Sequence, residues 1–227
     1  EDGGQTWQRV GQEALPSRLR EVAVDPLDPD VVIAAPTDKG LYRSQDGGSR
    51  WERLDASGVC DAEQEGAALP ADFRVWALLF TADALWAGSN TGTEPPAAAD
   101  GLYVSHDRGS CWRMVDGGDG RSMVRFLAAV PGRPDEILSL TKDFRAVAGT
   151  PEEALWRIAE KGGRLQELWS AETLPMALLT DERAPNDWHV ATHQGAVVSG
   201  RIDRRQFEET PWLLPCALGN LTKTPLT

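Results

Sequence analysis

The first half of the chain carries three copies of one short pattern, Asp-x-Gly-x-x-Trp, at residues 2–7, 46–51 and 107–112. In the second and third copies a serine, Ser44 or Ser105, stands two residues before the aspartate. A pattern that recurs along a chain is the signature of a fold built from similar units packed side by side. The repeat therefore favours a modular array over a single irregular domain.

The residues around each copy predict a β-hairpin. Before two copies runs Gly-Leu-Tyr-x-Ser, at 40–44 and 101–105, whose alternation of apolar and polar residues is typical of a half-buried strand. In the segment that follows, aspartate can accept backbone N–H hydrogen bonds and glycine tolerates positive φ, which suits a tight turn. The tryptophan then anchors an exit strand with a large apolar ring.

These segments resemble the Asp-box, or BNR repeat, whose family pattern is Ser/Thr-x-Asp-x-Gly-x-Thr/Ser-Trp. The matching residues are Asp2, Gly4, Thr6 and Trp7 in the first copy, Ser44, Asp46, Gly48 and Trp51 in the second, and Ser105, Asp107, Gly109 and Trp112 in the third. Arg50 and Cys111 depart from the family's small residue. The resemblance implies an all-β fold, a β-propeller of four-stranded antiparallel blades, with each box between the third and fourth strands. Because Asp-boxes occur in sialidases, xyloglucan hydrolases, sortilin-type receptors and photosystem assembly factors, the resemblance implies no particular chemistry.

Nearly continuous apolar runs recur at 20–26, 75–81, 125–131 and 176–180, and they suit the buried innermost strand of a blade. A tryptophan closes each unit: Trp7, Trp51, Trp112, Trp169 and Trp212. We therefore expect blades at about 17–54, 73–115, 122–170 and 174–213, with a lone outer strand at 1–10. The chain is predicted to be a single propeller or part of one. A ring closed by pairing the first strand with the C-terminal tail is the alternative.

The charge balance argues against two classes of partner. Lys and Arg total 23 against 35 Asp and Glu, a net charge of −12, which disfavours nucleic acid and anionic membrane surfaces. No apolar run approaches the roughly 20 residues of a membrane span, so no membrane insertion is expected. The family resemblance implies an extracellular or periplasmic protein.

The three cysteines, Cys60, Cys111 and Cys216, include no Cys-x-x-Cys pair and so support neither a zinc ribbon nor a thioredoxin-like site. We expect free thiols, since the resemblance places Cys60 and Cys111 on opposite faces. No cofactor or metal is expected. His189 and His193, four residues apart on a strand, would lie about 13 Å apart, too far to share one ion.

No motif in the sequence supplies a complete set of catalytic residues. Sialidase chemistry needs a tyrosine nucleophile beside a carboxylate, together with arginines for the sugar carboxylate. Tyr42 and Tyr103 both occupy the repeated strand position, which indicates structural roles. Hydrolysis by paired carboxylates stays open, because Asp and Glu are abundant and sequence alone nominates no pair.

Three long connections, 55–72, 89–100 and 141–153, are predicted on the face opposite the Asp-boxes. Long loops on one face of a rigid scaffold commonly carry binding function. The candidate binding residues near this face are Asp72, Arg74, Asn90, Lys142 and His193, with Arg20 and Arg125, which together with Arg74 begin inner strands and could converge.

Two functions follow as hypotheses. The first is a non-catalytic propeller that binds a protein or a glycan through the face carrying these connections. The alternative is a glycoside hydrolase of the sialidase or xyloglucanase type acting through loop carboxylates. The first is favoured because no catalytic constellation is complete. The oligomeric state is left open.

Overall fold

A computed structural model describes residues 5–7, 15, 18–38, 40–54, 73–92, 100–117, 122–143, 152–160, 163–171, 173–204 and 207–211. Within these ranges the regular structure is β-strand throughout, arranged in four antiparallel sheets of four strands each. The predicted all-β fold with four-stranded antiparallel units is confirmed. No helix in the described ranges has the length and apolarity needed to cross a lipid bilayer.

Each sheet is a meander, because strands that follow one another in the sequence pair with one another. We call the sheets blades 1 to 4. Blade 1 contains β1 (Leu19–Val24), β2 (Val32–Pro36), β3 (Leu41–Ser44) and β4 (Glu52–Leu54). Blade 2 contains β5 (Val75–Phe80), β6 (Leu85–Ser89), β7 (Gly101–Ser105) and β8 (Arg113–Gly117). Blade 3 contains β9 (Ser122–Val130), β10 (Arg133–Asp143), β11 (Glu152–Ala159) and β12 (Gly163–Ala171). Blade 4 contains β13 (Pro175–Asp181), β14 (Ala184–Thr192), β15 (Ala196–Arg201) and β16 (Phe207–Pro211).

The blades pack face to face through apolar cores. Blades 1 and 2 share a core that includes Ile33, Leu41 and Phe73, and Phe73 meets Tyr103 edge-on with ring centroids 4.9 Å apart. Trp86 helps to fill the core between blades 2 and 3, and Trp188 fills much of the core between blades 3 and 4. Burial of each such side chain contributes about 1.5–3 kcal/mol, so these cores hold consecutive blades together.

Blades 2 and 3 approach each other closely at Gly88 in β6, opposite Val124 in β9. A Cβ atom at position 88 would overlap Cγ1 of Val124 and would lie only 2.7 Å from its Cβ. The glycine therefore lets blade 3 approach the backbone of blade 2.

The connections lie at two opposite ends of the sheets. We call the end with the connections after second and fourth strands the loop face, and the end with those after first and third strands the turn face. On the loop face, Gly40 N donates to Phe73 O at 3.4 Å across blades 1 and 2. On the turn face, Arg113 of blade 2 pairs with Glu160 of blade 3 at 3.1 Å. The ends of consecutive blades are therefore aligned.

The two Asp-x-Gly-x-x-Trp segments at 46–51 and 107–112 form the hydrogen-bonded turns that the sequence predicts. Asp46 Oδ1 accepts hydrogen bonds from Ser44 Oγ at 2.9 Å and from Arg50 N at 2.7 Å. The bond from Arg50 N lowers the pKa of Asp46. Trp51 Nε1 donates to Gly48 O at 2.8 Å, which ties the exit strand to the turn.

The second segment repeats this geometry. Asp107 Oδ1 accepts from Ser105 Oγ and Cys111 N, each at 2.8 Å, and Trp112 Nε1 donates to Gly109 O at 2.8 Å. In the first copy, Asp2 and Gly4 lie outside the described residues, and Trp7 is 89% exposed. Most of the predicted outer strand at 1–10, and Trp212, also lie outside them. Trp169 is buried between blades 3 and 4.

Arg108 is the only non-glycine residue with positive φ among the described residues, at 59°. The equivalent position in the first turn is Gly47, with φ 66°. Arg108 reaches from blade 2 to blade 1, with Nε 3.1 Å from Asp25 Oδ2 and Nη1 3.1 Å from Asp28 Oδ2. The left-handed backbone costs about 1–2 kcal/mol for a residue with a Cβ, and the two ion pairs offset part of that cost.

The expectation of free thiols is wrong for Cys111, which is disulfide-bonded. Cys60 and Cys216 both lie outside the described residues.

Candidate functional site

The loop face of blade 2 brings together two of the predicted residues. Asn90 N donates to Arg74 O at 3.1 Å, which joins the end of β6 to the segment before β5. The Asn90 side chain is buried, and its Oδ1 accepts from Gly92 N at 2.8 Å. Arg74 is exposed beside it. Asn90 therefore shapes the start of the β6–β7 connection, and Arg74 lies on the adjoining surface.

Asp100 organises the base of the same connection, and the sequence analysis did not single it out. The carboxylate is fully buried, with Oδ1 accepting from Thr91 N at 2.7 Å and Oδ2 from Thr91 Oγ1 at 2.8 Å. Ser89 Oγ lies 3.3 Å from Oδ1. These bonds join the two ends of the connection. An aspartate directly before the Gly-Leu-Tyr strand was the available signal, but sequence alone cannot show its burial.

In blade 3, two of the predicted binding residues, both cationic, lie near one buried carboxylate. Arg125 Nε lies 3.0 Å from Oε1 of Glu153, which is 5% exposed, and Lys142 is the cross-strand partner of Glu153. Burial raises the pKa of Glu153, while the charges of Arg125 and Lys142 act against that rise. Arg125 and Lys142 are therefore brought together around a residue that the sequence analysis missed.

The other predicted residues have separate surroundings. The guanidinium of Arg20 stacks over Trp76 at 3.9 Å, a cation–π contact between the inner strands of blades 1 and 2. His193 is exposed in the β14–β15 turn, where its backbone N donates to Leu174 O at 2.9 Å. Asp72 lies outside the described residues.

The acidic and phenolic groups in these blades are engaged or buried. Asp100 and Glu153 are both buried and engaged by donors or cations. Within the described ranges, no group of three or more His, Cys, Asp or Glu side chains is placed to hold a metal ion. Tyr103 is 5% exposed in the core between blades 1 and 2.

The turn face also carries concave surface, which the sequence analysis did not anticipate. A shallow depression of about 380 Å³ lies beside the first turn, lined by Arg43, Asp46, Arg50, Trp51 and Glu52 along with Gln45. Arg43 is already bonded there, to Glu52 at 2.7 Å and to Ser110 of blade 2 at 3.0 Å. The residues that line this depression therefore stabilise the turn at 46–51 and the contact between blades 1 and 2.

Comparison with known proteins identifies the fold. No protein-family model matches the chain, and no curated protein matches it. Among solved structures, the GH74 xyloglucanase from Xanthomonas campestris is 20% identical over 86% of this chain and 29% of its own, with a TM-score of 0.58. YCF48 from Cyanidioschyzon merolae is 16% identical over 85% of this chain and 56% of its own, with a TM-score of 0.57. A component of the COPII outer coat vertex is 9% identical over 87% of this chain and 50% of its own, with a TM-score of 0.63.

The chain has a β-propeller fold. At these identities the likeness shows the fold alone, and the similar structures include a hydrolase, YCF48 and coat proteins. The chain spans between 29% and 56% of the lengths of these three solved chains. The propeller fold explains why four meander sheets pack face to face with their first strands adjacent.

Proposed function

We propose that this chain is a non-catalytic Asp-box β-propeller module that recognises a protein segment or a glycan through its loop face. The observation that carries the proposal is the buried Asp100, which fixes both ends of the β6–β7 connection. A fixed base reduces the entropy lost when a loop binds a partner. Arg74 lies exposed beside this base and is a candidate contact.

A protein ligand has support from the similar structures. One YCF48 structure, 16% identical over 86% of this chain with a TM-score of 0.56, is described as bound to the D1 peptide. A protein of similar fold therefore binds a peptide. The disulfide at Cys111 supports an oxidising compartment, such as the periplasm or the cell exterior, as the place of action.

A photo-crosslinking experiment tests the proposal. A photoreactive amino acid is placed at Arg74 on the loop face and, in a matched control, at Glu182 in the exposed β13–β14 turn on the turn face. We expect only the variant with the photoreactive group at position 74 to form a discrete adduct with a partner. Excess of the chain without that group should suppress the adduct. It should also weaken when a Gly-Ser linker of equal length replaces residues 93–99. Thr91 is kept because it bonds to Asp100. Equal adducts from both positions, or none from Arg74, would contradict the proposal.

A glycoside hydrolase is the second candidate, favoured by the likeness to the GH74 xyloglucanase. Its test is hydrolysis of xyloglucan oligosaccharides and of a fluorogenic sialoside by the purified chain. Turnover that is abolished by replacing one loop-face carboxylate with its amide, with the fold intact by circular dichroism, would establish the enzyme and displace the binding module.

A further inference from the structure

The first strand of each blade carries a β-bulge near the loop face. In every blade two residues of the first strand oppose one residue of the second strand, so a single extra residue has no cross-strand partner. On the second strands the bulges fall between positions 35 and 36, 88 and 89, 140 and 141, and 191 and 192. The extra residues, which we call the bulge row, are Arg20, Trp76, Arg125 and Met176.

The bulges take these side chains out of the cores between blades. A bulge interrupts the regular alternation of a strand and re-aims the extra side chain. Neighbouring residues pack in the cores: Val75 between blades 1 and 2, Val124 between blades 2 and 3, and Leu178 between blades 3 and 4. The cores formed by the described residues contain no member of the bulge row. Met176 is 57% exposed, and the other three side chains are exposed or half-buried.

The bulge row is continuous across the blades. The first strands of consecutive blades are neighbours, and each first strand is the edge of its sheet. In a propeller these edges surround the central channel. Another blade packed against blade 1 or blade 4 would therefore extend the row and leave it accessible from the channel. Arg20 and Trp76 touch across blades 1 and 2, with the guanidinium 3.9 Å from the ring centre.

Cations predominate around the bulge row. Arg20 and Arg74 both lie exposed near the loop-face ends of the first strands of blades 1 and 2. The carboxylates beside the row are Glu21, which interacts with Arg20, and Glu153, which lies 3.0 Å from Arg125. In a chain whose net charge is −12, a local excess of cations attracts an anionic ligand that most of the surface repels.

The remainder of the row is apolar and adaptable. Trp76 presents a large ring that the Arg20 guanidinium covers on one side. Met176 carries a flexible thioether, which packs against groups of varied shape. The bulges also interrupt the edge of each first strand, which disfavours a ligand that would pair there as an added strand. Recognition at this row therefore depends on side chains.

We propose that the bulge row binds an extended peptide segment of a partner protein that carries acidic and apolar side chains. Arg20 and Arg125 pair with its carboxylates, and Trp76 and Met176 pack against its apolar groups. A neutral glycan is disfavoured because it offers the arginines no carboxylate. This proposal rests on the loop-face recognition proposed above and names the class of its ligand.

Fluorescence anisotropy with short fluorescein-labelled peptides tests this ligand class. The peptides alternate Glu with Leu, Glu with Ser, Lys with Leu, and Ser with Leu, and a labelled xyloglucan oligosaccharide is included. We expect the Glu-Leu peptide to bind at least about tenfold more tightly than each of the other probes. Tighter binding of the Lys-Leu peptide or of the oligosaccharide would overturn the proposal, and so would the absence of any peptide binding.

Substitutions in the row should separate the two kinds of contact. Arg20→Gln should weaken binding of the Glu-Leu peptide about tenfold and leave the Ser-Leu peptide unchanged, because it removes only the charged contact. Met176→Ser should weaken binding of the Glu-Leu peptide and leave the Glu-Ser peptide unchanged. The matched controls are Arg183→Gln, in an exposed turn of the turn face, and Met114→Ser, at a 38% exposed position on β8. Neither control should change binding.

The failure of this proposal is distinguishable from failure of the loop-face function, with the folding of every variant verified by circular dichroism. Equal losses in the row variants and the controls, or no loss in the row variants, would contradict the bulge row as the binding element. A photo-adduct at position 74 that Arg20→Gln and Met176→Ser leave unchanged would refute the bulge row while the loop-face function stands. The absence of any adduct at position 74 would refute that function itself.

Discussion

Replacing Gly88 with alanine tests whether blades 2 and 3 pack as closely as the structure indicates. The added methyl group would overlap Cγ1 of Val124 and lie 2.7 Å from its Cβ. A rotamer change of Val124 can move Cγ1, but it cannot move Cβ, whose position follows the backbone. Blades 2 and 3 must therefore shift apart. Gly88 lacks a positive φ, so an alanine there adds no left-handed backbone strain to the packing effect.

The magnitude follows from two opposing effects. Forcing an extra methyl into a packed core costs about 1–3 kcal/mol. Replacing glycine with alanine restricts the unfolded chain and returns about 0.4–1 kcal/mol. We expect a net loss of about 1–2 kcal/mol in the free energy of unfolding, which lowers Tm by about 2–8 °C for a chain of this length.

Urea and thermal unfolding, followed by tryptophan fluorescence and circular dichroism, measure this loss. Val124→Ala alone leaves a cavity and should cost about 1–3 kcal/mol. In the double variant the Gly88 methyl occupies part of that cavity, so the combined loss should be smaller than the sum of the single losses. Wild-type stability for Gly88→Ala, or strict additivity in the double variant, would refute the packing argument.

Three further predictions concern the turns and the buried carboxylate. Asp107→Ala should lower stability by about 1–2 kcal/mol in thermal denaturation, because two donors lose their acceptor, whereas Asp83→Ala on the exposed neighbouring turn should have little effect. Arg108→Ala should cost about 1 kcal/mol more than Arg108→Gly, since both lose the ion pairs and only alanine keeps a Cβ at positive φ; equal losses would exclude the strain. Because burial raises the pKa of Glu153, its folded form binds a proton more readily than its unfolded form. Wild type should therefore gain stability relative to Glu153→Gln as the pH falls from 7 through this pKa; a constant difference in urea midpoints, or one of opposite sign, would contradict this.

Local patterns in the sequence predicted the turns and strands because the interactions that form them are local. Ser44 and Asp46 bond to backbone and side-chain groups within four residues along the chain. The apolar runs indicated the inner strands because each such strand buries the side that packs against a neighbouring blade. The depression on the turn face and the burial of Glu153 between cations had no such local signal.

The sequence by itself therefore determined the repeating hairpins, and the resemblance of their turns to the Asp-box predicted a propeller fold. Only the tertiary structure decided what surrounds the loop-face residues: Asp100 binds across a connection, and Arg125 reaches Glu153 two strands away. It also decided that Arg20 stacks on Trp76 of the next blade and that Cys111 is disulfide-bonded. The physical reason is distance along the chain. Turns and strand periodicity depend on residues a few positions apart, whereas the site depends on contacts between residues far apart in sequence that only the packing of the blades brings together.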